Sequence, residues 1–243
     1  GFGFGWSSSL CWHVLEGRRS LVVQAYDGTE HDFEKITAGE GKMGPHGWVL
    51  HRENQGYRLD IEGDQRRCFD EVSDSDGRRL FRLTAIQDRS NNCITLGYDD
   101  GILARITDSV GREIRVTRAR DGRIGALQAR NALEQGQWVT FTRYEYDADG
   151  RLVLVEDGDG FCTTYRYDEH NLLTSQTDAT GLCFSFVYDE QARCIETWGE
   201  YPGRVDISLA DDVPLLLADG RTTAKGILHT VLEYAEDGYS EAV

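Results

Sequence analysis

From residue 146 onward the chain alternates short blocks of strand-forming residues with short polar turns. RLVLVED and CTTYRYD are each about seven residues rich in β-branched, aromatic or Leu side chains, and DADG and DGDG bound them. Two such blocks with their turns fill 21 residues as a β-hairpin, each strand roughly 23 Å long at about 3.3 Å per residue. Tyr165 and Tyr167 are two apart and project from one face, with Arg166 on the other. One face of the ribbon is expected to be aromatic.

The pattern recurs. Tyr146-Asp147, Tyr167-Asp168 and Tyr188-Asp189 are spaced by 21 residues, and Asp157/Asp178, Gly160/Gly181, Cys162/Cys183 and Tyr165/Phe186 keep the same step. A weaker earlier copy begins at Tyr98-Asp99, where Gly101 and Gly122 again differ by 21 and Ala119 stands for the expected Tyr; a later copy begins at Tyr234. A lone hairpin is marginal in water, so the copies are expected to lie side by side in one continuous antiparallel sheet. A ladder of equivalent Tyr rings supplies contact area while each hydroxyl reaches a polar partner, and the adjoining Asp, with Gly150, suits the turn. The fold class is all-β: antiparallel β-hairpin repeats forming a curved sheet.

Residues 1–80 do not keep the period. Runs such as SLVVQAY, GWVLHR and GYRLDIEG separated by turn signals predict a β-meander, read as an irregular β cap that covers the first strand's open edge. The repeats then occupy 81–198, an insertion 199–233 interrupts them, and 234–243 starts a further repeat. Two segments, 125–139 and 199–226, break the step and are expected to be loops or short helices outside the ladder.

Composition narrows the function. Forty-two acidic against 26 basic residues leave a charge of −16, the wrong sign for a phosphate-binding surface, so nucleic acid is not expected as a partner. No apolar run approaches a bilayer span, and the opening GFGFGWSSSLCW has no basic region of a signal peptide. The six cysteines (Cys11, Cys68, Cys93, Cys162, Cys183, Cys194) are far apart with no C-x-x-C pair, which predicts buried reduced thiols.

YDADGRL, DGDGFCTTYRYD and TDATGLCFSFVYD resemble the RHS/YD-repeat family, whose consensus runs Y-D-x-x-G-R-L, then T-D-x-x-G, then x-T-x-Y-x-Y-D. GFGFGWSSSL and DGTEHDF look like the domain that precedes RHS repeats in bacterial polymorphic toxins, and residues 194–239 look like the interrupted repeat of type VI secretion RHS effectors. The resemblance implies a β-ribbon spiralling into a hollow β-cocoon that encloses a C-terminal toxin, secreted for interbacterial competition. It implies as partners the rest of the shell, the toxin, a secretion spike protein, a chaperone and an immunity protein. Neither an Asp-rich autoproteolytic motif nor a variable toxin domain is present, so the chain is expected to be the N-terminal part of a larger shell and not itself an enzyme.

Candidate chemistry is sparse. Glu145, Asp147, Asp149, Gly150 and Glu156 fall at positions 1, 3, 5, 6 and 12 of a calcium-loop template, but the template wants Asp first and flanking helices. A turn that uses Asp and Gly for its backbone angles is the expected reading, with no metal and no cofactor. His46 and His51 could approach each other around GPHGWVLH, with no carboxylate at metal or triad spacing. GFGFG neither follows a strand nor opens a helix, as a phosphate loop would. The expected function is a structural, encapsulating wall; the alternative is an extracellular module binding carbohydrate or protein through exposed Tyr and Trp.

Overall fold

The computed structural model describes residues 2–61, 65–75, 78–131, 136–203, 216–217, 220–234 and 240–242. Among them the architecture is β-strand throughout, apart from one 3-10 turn at Pro45–Gly47, and no helix is long and apolar enough to cross a membrane. All strand pairings described are antiparallel, as expected for hairpin repeats. The chain divides into two compact units, 1–141 and 142–243.

The first unit opens with β1 (His13–Glu16), β2 (Leu21–Gln24), β3 (Glu30–Phe33), β4 (Gly41–Met43), β5 (Val49–Arg52), β6 (Gly56–Ile61), β7 (Gln65–Ser75) and β8 (Arg78–Gln87). Pairing runs β3-β2-β1-β8-β7-β6-β5-β4. The two ends of this ladder return to one another: the Phe33 ring on β3 fills the space beside Gly44 just after β4, and Lys42 reaches Glu34 at 2.9 Å. The strands thus curl around a core. Alternate residues point inward, among them Val14, Val23, Phe33, Leu50, Leu59, Phe69 and Phe81, all buried. The segment read as an irregular cap therefore holds most of the fully buried side chains.

β8 is shared. Its Arg79–Arg82 edge pairs with β1, while farther along the same edge Ala85–Gln87 pairs with β9 (Cys93–Asp99). From β9 the meander continues through β10 (Ile102–Thr107), β11 (Glu113–Arg118), β12 (Ile124–Asn131) and the start of β13 (Gln137–Tyr146).

The second unit begins within β13 at Thr142 and continues with β14 (Leu152–Asp157), β15 (Cys162–Tyr167), β16 (Leu173–Thr177), β17 (Cys183–Tyr188), β18 (Cys194–Glu200), β19 (Ile227–Tyr234) and β20 (Ser240–Ala242). Each pairs with its sequence neighbour. Among the described residues of this unit most side chains are half-buried and Leu152 is the one buried apolar residue, the burial expected of a single-layer sheet.

Two expectations are corrected. Residues 125–139 were expected to leave the ladder as a loop or short helix, yet their described part continues β12 and opens β13. The extra residues lengthen two strands to 8 and 10 residues, and Trp138 is held there between the guanidinium groups of Arg115 (4.0 Å) and Arg130 (5.0 Å). The cysteines are not buried: Cys11 is exposed and the other five are half-buried; Cys162, Cys183 and Cys194 lie on the second unit's sheet, where side chains are mostly half-buried. Of the 199–226 insertion, 204–215 and 218–219 lie outside the described residues. Strand pairing resumes beyond it, with Thr197 opposite Thr230 and Gly199 opposite Ile227.

Candidate functional site: the Tyr-Asp ladder

Among the described residues, the Asp residues that close the hairpins at Asp88, Asp108, Asp147, Asp157, Asp168, Asp178 and Asp189 each open a five-residue turn of fixed geometry, whereas Asp99 does not. In the turn at Asp147 the amide of Gly150 donates to the Asp147 carbonyl (3.0 Å) and the Asp147 amide donates to the Arg151 carbonyl (3.0 Å). The Asp147 carboxylate accepts from the amides of Asp149 (3.1 Å) and Arg151 (2.9 Å). The same set of bonds recurs at Asp88, Asp108, Asp157, Asp168, Asp178 and Asp189. The fourth residue of each turn has positive φ, which Gly150, Gly160 and Gly181 adopt freely and Asn91 and Asn171 tolerate.

Ala192 takes that place in the Asp189 turn at φ 61°, where its Cβ is strained. Ala192→Gly is therefore expected to stabilise the chain by about 1 kcal/mol, the relief of a left-handed non-glycine residue less the entropy glycine loses. Urea unfolding of the pair of proteins checks it.

The turn carboxylates carry a pH signature. Partial burial pushes Asp147 and Asp189 up, but the backbone amides and guanidinium groups of Arg151 and Arg193 outweigh it and hold both below the usual range. The Arg112 amide does the same for Asp108, the Asn92 side chain for Asp88 and the Thr180 hydroxyl for Asp178. A carboxyl depressed in the folded state stabilises above its unfolded pKa of about 3.9, and that contribution fades as pH falls through the folded values. The thermal midpoint is thus expected to fall with acidification below about pH 4. Asp147→Asn together with Asp189→Asn should flatten that part of the profile.

The tyrosines join one strand to the next. β14 and β15 pair only from Leu154 opposite Thr164 to Glu156 opposite Cys162, so beyond Leu154 the two strands splay. Across the splay the Tyr167 hydroxyl donates to the Leu152 carbonyl at 2.7 Å. Tyr188 does the same to Leu173 (2.9 Å), Tyr98 to Leu83 (2.7 Å) and, past the insertion, Tyr234 to Cys194 (2.8 Å). Burial pushes the Tyr98 hydroxyl up to about 12. Tyr146 sits at the matching strand end, opposite Leu152 after a register shift, as Tyr167 is opposite Leu173 and Tyr188 opposite Cys194. A second half-buried row is formed by Tyr144, Tyr165 and Phe186, while Glu145, Arg166 and Val187 between the two rows are exposed.

Arginine completes the joint. Arg151 binds the Asp147 carboxylate through Nε (2.7 Å), donates to the Asp168 carbonyl (3.1 Å) and lies 5.5 Å from the centre of the Tyr167 ring. Arg193 likewise binds Asp189 (2.7 Å) and covers Tyr234 (4.7 Å). The sequence analysis gave roles to Tyr, Asp and Gly and none to these arginines, although Arg151 stands at the Arg of the YDADGRL motif and Arg193 follows it by 42 residues, twice the repeat.

Two positions shift. Gly101 is not the counterpart of Gly122: it follows Asp100 in a two-residue turn with φ 51° and 72°, and Asp99 pairs with Ile102. Ala119 holds the place of the turn Asp and not of the Tyr, since its amide donates to the Arg123 carbonyl and its carbonyl accepts from Gly122.

The calcium-template residues do not converge. Asp147 and Asp149 are both engaged by Arg151, and Glu156 faces Arg143 at 3.6 Å across the strand pair. Among the described residues no three His, Cys, Asp or Glu side chains are grouped as metal ligands. His46 packs against His31 (5.5 Å) and Trp48 rather than meeting His51, which binds Asp60 at 3.1 Å, a carboxylate supplied by the neighbouring strand.

Residues 146–182 match the family model of the RHS repeat. No curated protein matches the chain. Among solved structures, TcdB2-TccC3-TEV aligns at 14% identity over 89% of this chain and 11% of that one, with a TM-score of 0.41. TcdB2-TccC3 without its hypervariable C-terminal region aligns at 13% identity over 89% and 11%, with 0.42. The Photorhabdus luminescens Tc holotoxin pore aligns at 13% over 92% and 16%, with 0.37. The chain thus spans less than a fifth of each of these chains. The matched segment holds the Asp147, Asp157, Asp168 and Asp178 turns and the Tyr167 joint, and the same bonds recur on both sides of it: residues 146–182 are similar to the RHS repeat, and the same turn and joint are used before and after them.

Proposed function

We propose that this chain is a wall segment of an RHS shell that encloses a C-terminal toxin domain, delivered by a type VI secretion apparatus in competition between bacteria. The observation that carries the reading is the Tyr joint. One hydroxyl per repeat fixes each hairpin to the strand before it, so the sheet is extended by adding equivalent units instead of by building a buried core. Such a sheet is a boundary. In this reading the segment does no chemistry itself; its partners are the rest of the shell, the enclosed toxin, a spike protein, a chaperone and an immunity protein.

The test is limited proteolysis of the full-length polypeptide that carries this segment. A toxin domain retained in the shell and resistant to protease until the shell is unfolded is the expected result. A C-terminal domain that is cut and released at the rate of an exposed linker overturns the proposal.

A further inference from the structure

In the first unit the residues leading into β1, the start of β8 and the β9–β10 hairpin enclose a cavity of about 410 Å³. Small-molecule sites occupy about 300–1,000 Å³. The wall is mostly apolar: Leu10, Leu80, Ile102 and Leu103 are half-buried around it and Ile124 is buried. Cys11 and Gly101, which also line it, are exposed, so the cavity opens to solvent.

The charge on this wall runs against that of the chain. Net charge is −16, yet none of the lining residues is acidic and one of them is Arg82. The hollow beside β5–β7, by contrast, carries Glu40, Glu53 and Asp70, and the one beside β10–β12 carries Asp108 and Glu113. Arg82 Nη1 donates to the Gly101 carbonyl, and the guanidinium lies 5.9 Å from the centre of the Tyr98 ring. Its register partners are His13 of β1 and Asp70 of β7, and among the described residues no carboxylate pairs with it. The buried side-chain donors that lack a partner among the described residues belong to Trp12 and Arg67, not to the half-buried Arg82, so the Arg82 N–H groups that Gly101 leaves over reach solvent. Burial pushes the His13 imidazole below its usual range, which leaves Arg82 as the one cation of the wall at neutral pH.

We propose that this cavity binds an amphiphilic monocarboxylate of the fatty-acid type, with its chain against Leu10, Leu80, Leu103 and Ile124 and its carboxylate on Arg82. The apolar wall takes up the chain by removing it from water, and the planar guanidinium matches the two carboxylate oxygens in charge and shape. A cationic amphiphile would meet Arg82 with like charge, and a short anion would gain nothing from the wall. The net charge of −16 gives anions no general attraction, so affinity depends on the chain and the head group together.

The test titrates the purified chain with decanoate, decanol, decyltrimethylammonium and acetate, all below micelle formation, and follows by mass spectrometry the rate at which iodoacetamide alkylates each cysteine. Cys11 lines the cavity and is the exposed one of the six, so a bound ligand shields it, while Cys162 and Cys183 of the second unit report general adsorption. Saturable slowing by decanoate at Cys11 alone is expected, with decanol about tenfold weaker for want of the charge-assisted bond, and no effect of the other two. Arg82→Met should bring decanoate to the level of decanol and leave decanol unchanged, with circular dichroism confirming the fold. Arg82→Lys keeps the charge without the fork and should retain part of the preference. The unmodified chain is decisive by itself: decanoate no tighter than decanol, acetate as effective as decanoate, or equal slowing at Cys11 and Cys162 overturns the site. A decanoate preference that survives Arg82→Met does the same.

Discussion

Phe81→Ala is expected to destabilise the first unit by about 3–5 kcal/mol, the largest effect of any single change considered. Phe81 is fully buried on β8, opposite Val14 of β1 and Glu71 of β7, and stands edge-on to Tyr57 at 4.8 Å. Truncation removes the ring's contacts and leaves a cavity that two hydrogen-bonded neighbours hold open. It also removes the surface on which Arg52 and Arg79 rest while they face Glu16, so the loosened arginines add to the loss. Against a usual domain stability of about 5–15 kcal/mol this is a large share. Hydrogen exchange of β1 and β8 and urea unfolding would measure it. Phe161→Ala is the control: that ring is exposed in a turn and its loss should cost no more than about 0.5 kcal/mol. A Phe81→Ala change as mild as the control would mean that the curled ladder has no packed interior.

The repeat was legible in the sequence because its signals are local. An Asp with Gly or Asn three residues later defines a turn whatever surrounds it, and a 21-residue step repeats the turn at the same place in each hairpin. The joint between strands was only half legible. The Tyr stands out, but its partner is the backbone carbonyl of Leu152, which has no side-chain signature, and the splay that makes the bond necessary is a property of two strands and not of either sequence. Ala119 was misplaced for a related reason. Gly101 and Gly122 share a spacing but close turns of different length, and only the backbone angles separate them. Arg67 was illegible: an arginine in a polar-looking strand reads as solvent-facing, and it is the register opposite Leu59 that turns it inward.

The splay also links the repeats to the first 80 residues. At β8 and β9 pairing stops at Ala85 opposite Thr95, and Tyr98 reaches back to the Leu83 carbonyl as in every other joint. Here the edge of β8 that β9 leaves free is taken by β1, and the Leu83 amide donates to the Trp12 carbonyl at 3.2 Å. One device thus serves two ends. At β14 and β15 Arg151 and Tyr167 bridge the splay; at β8 and β9 Tyr98 makes the same bond and β1 also takes the free edge of β8.

Tyr167→Ala is expected to cost about 2–3 kcal/mol, and Tyr167→Phe about 1 kcal/mol, the difference being the ring. Phe keeps the half-buried aromatic surface and the platform under Arg151 but leaves the Leu152 carbonyl without its donor, at a point where the strands have already parted. Ala removes the platform as well, so Arg151 keeps Asp147 and the Asp168 carbonyl but loses the face it covers. Tyr188→Phe should match Tyr167→Phe, because the bond to Leu173 is the same joint one repeat on. In a sheet built of equivalent units the costs should add, with any coupling confined to the shared β16, which carries Leu173 and pairs with β15. Urea unfolding of the two single variants and the double variant checks this. If Tyr167→Phe were as stable as the unmodified chain while Tyr167→Ala was not, the hydroxyl would be idle, any large aromatic would serve at the strand end, and the joint described here would not be what selects tyrosine for the repeat.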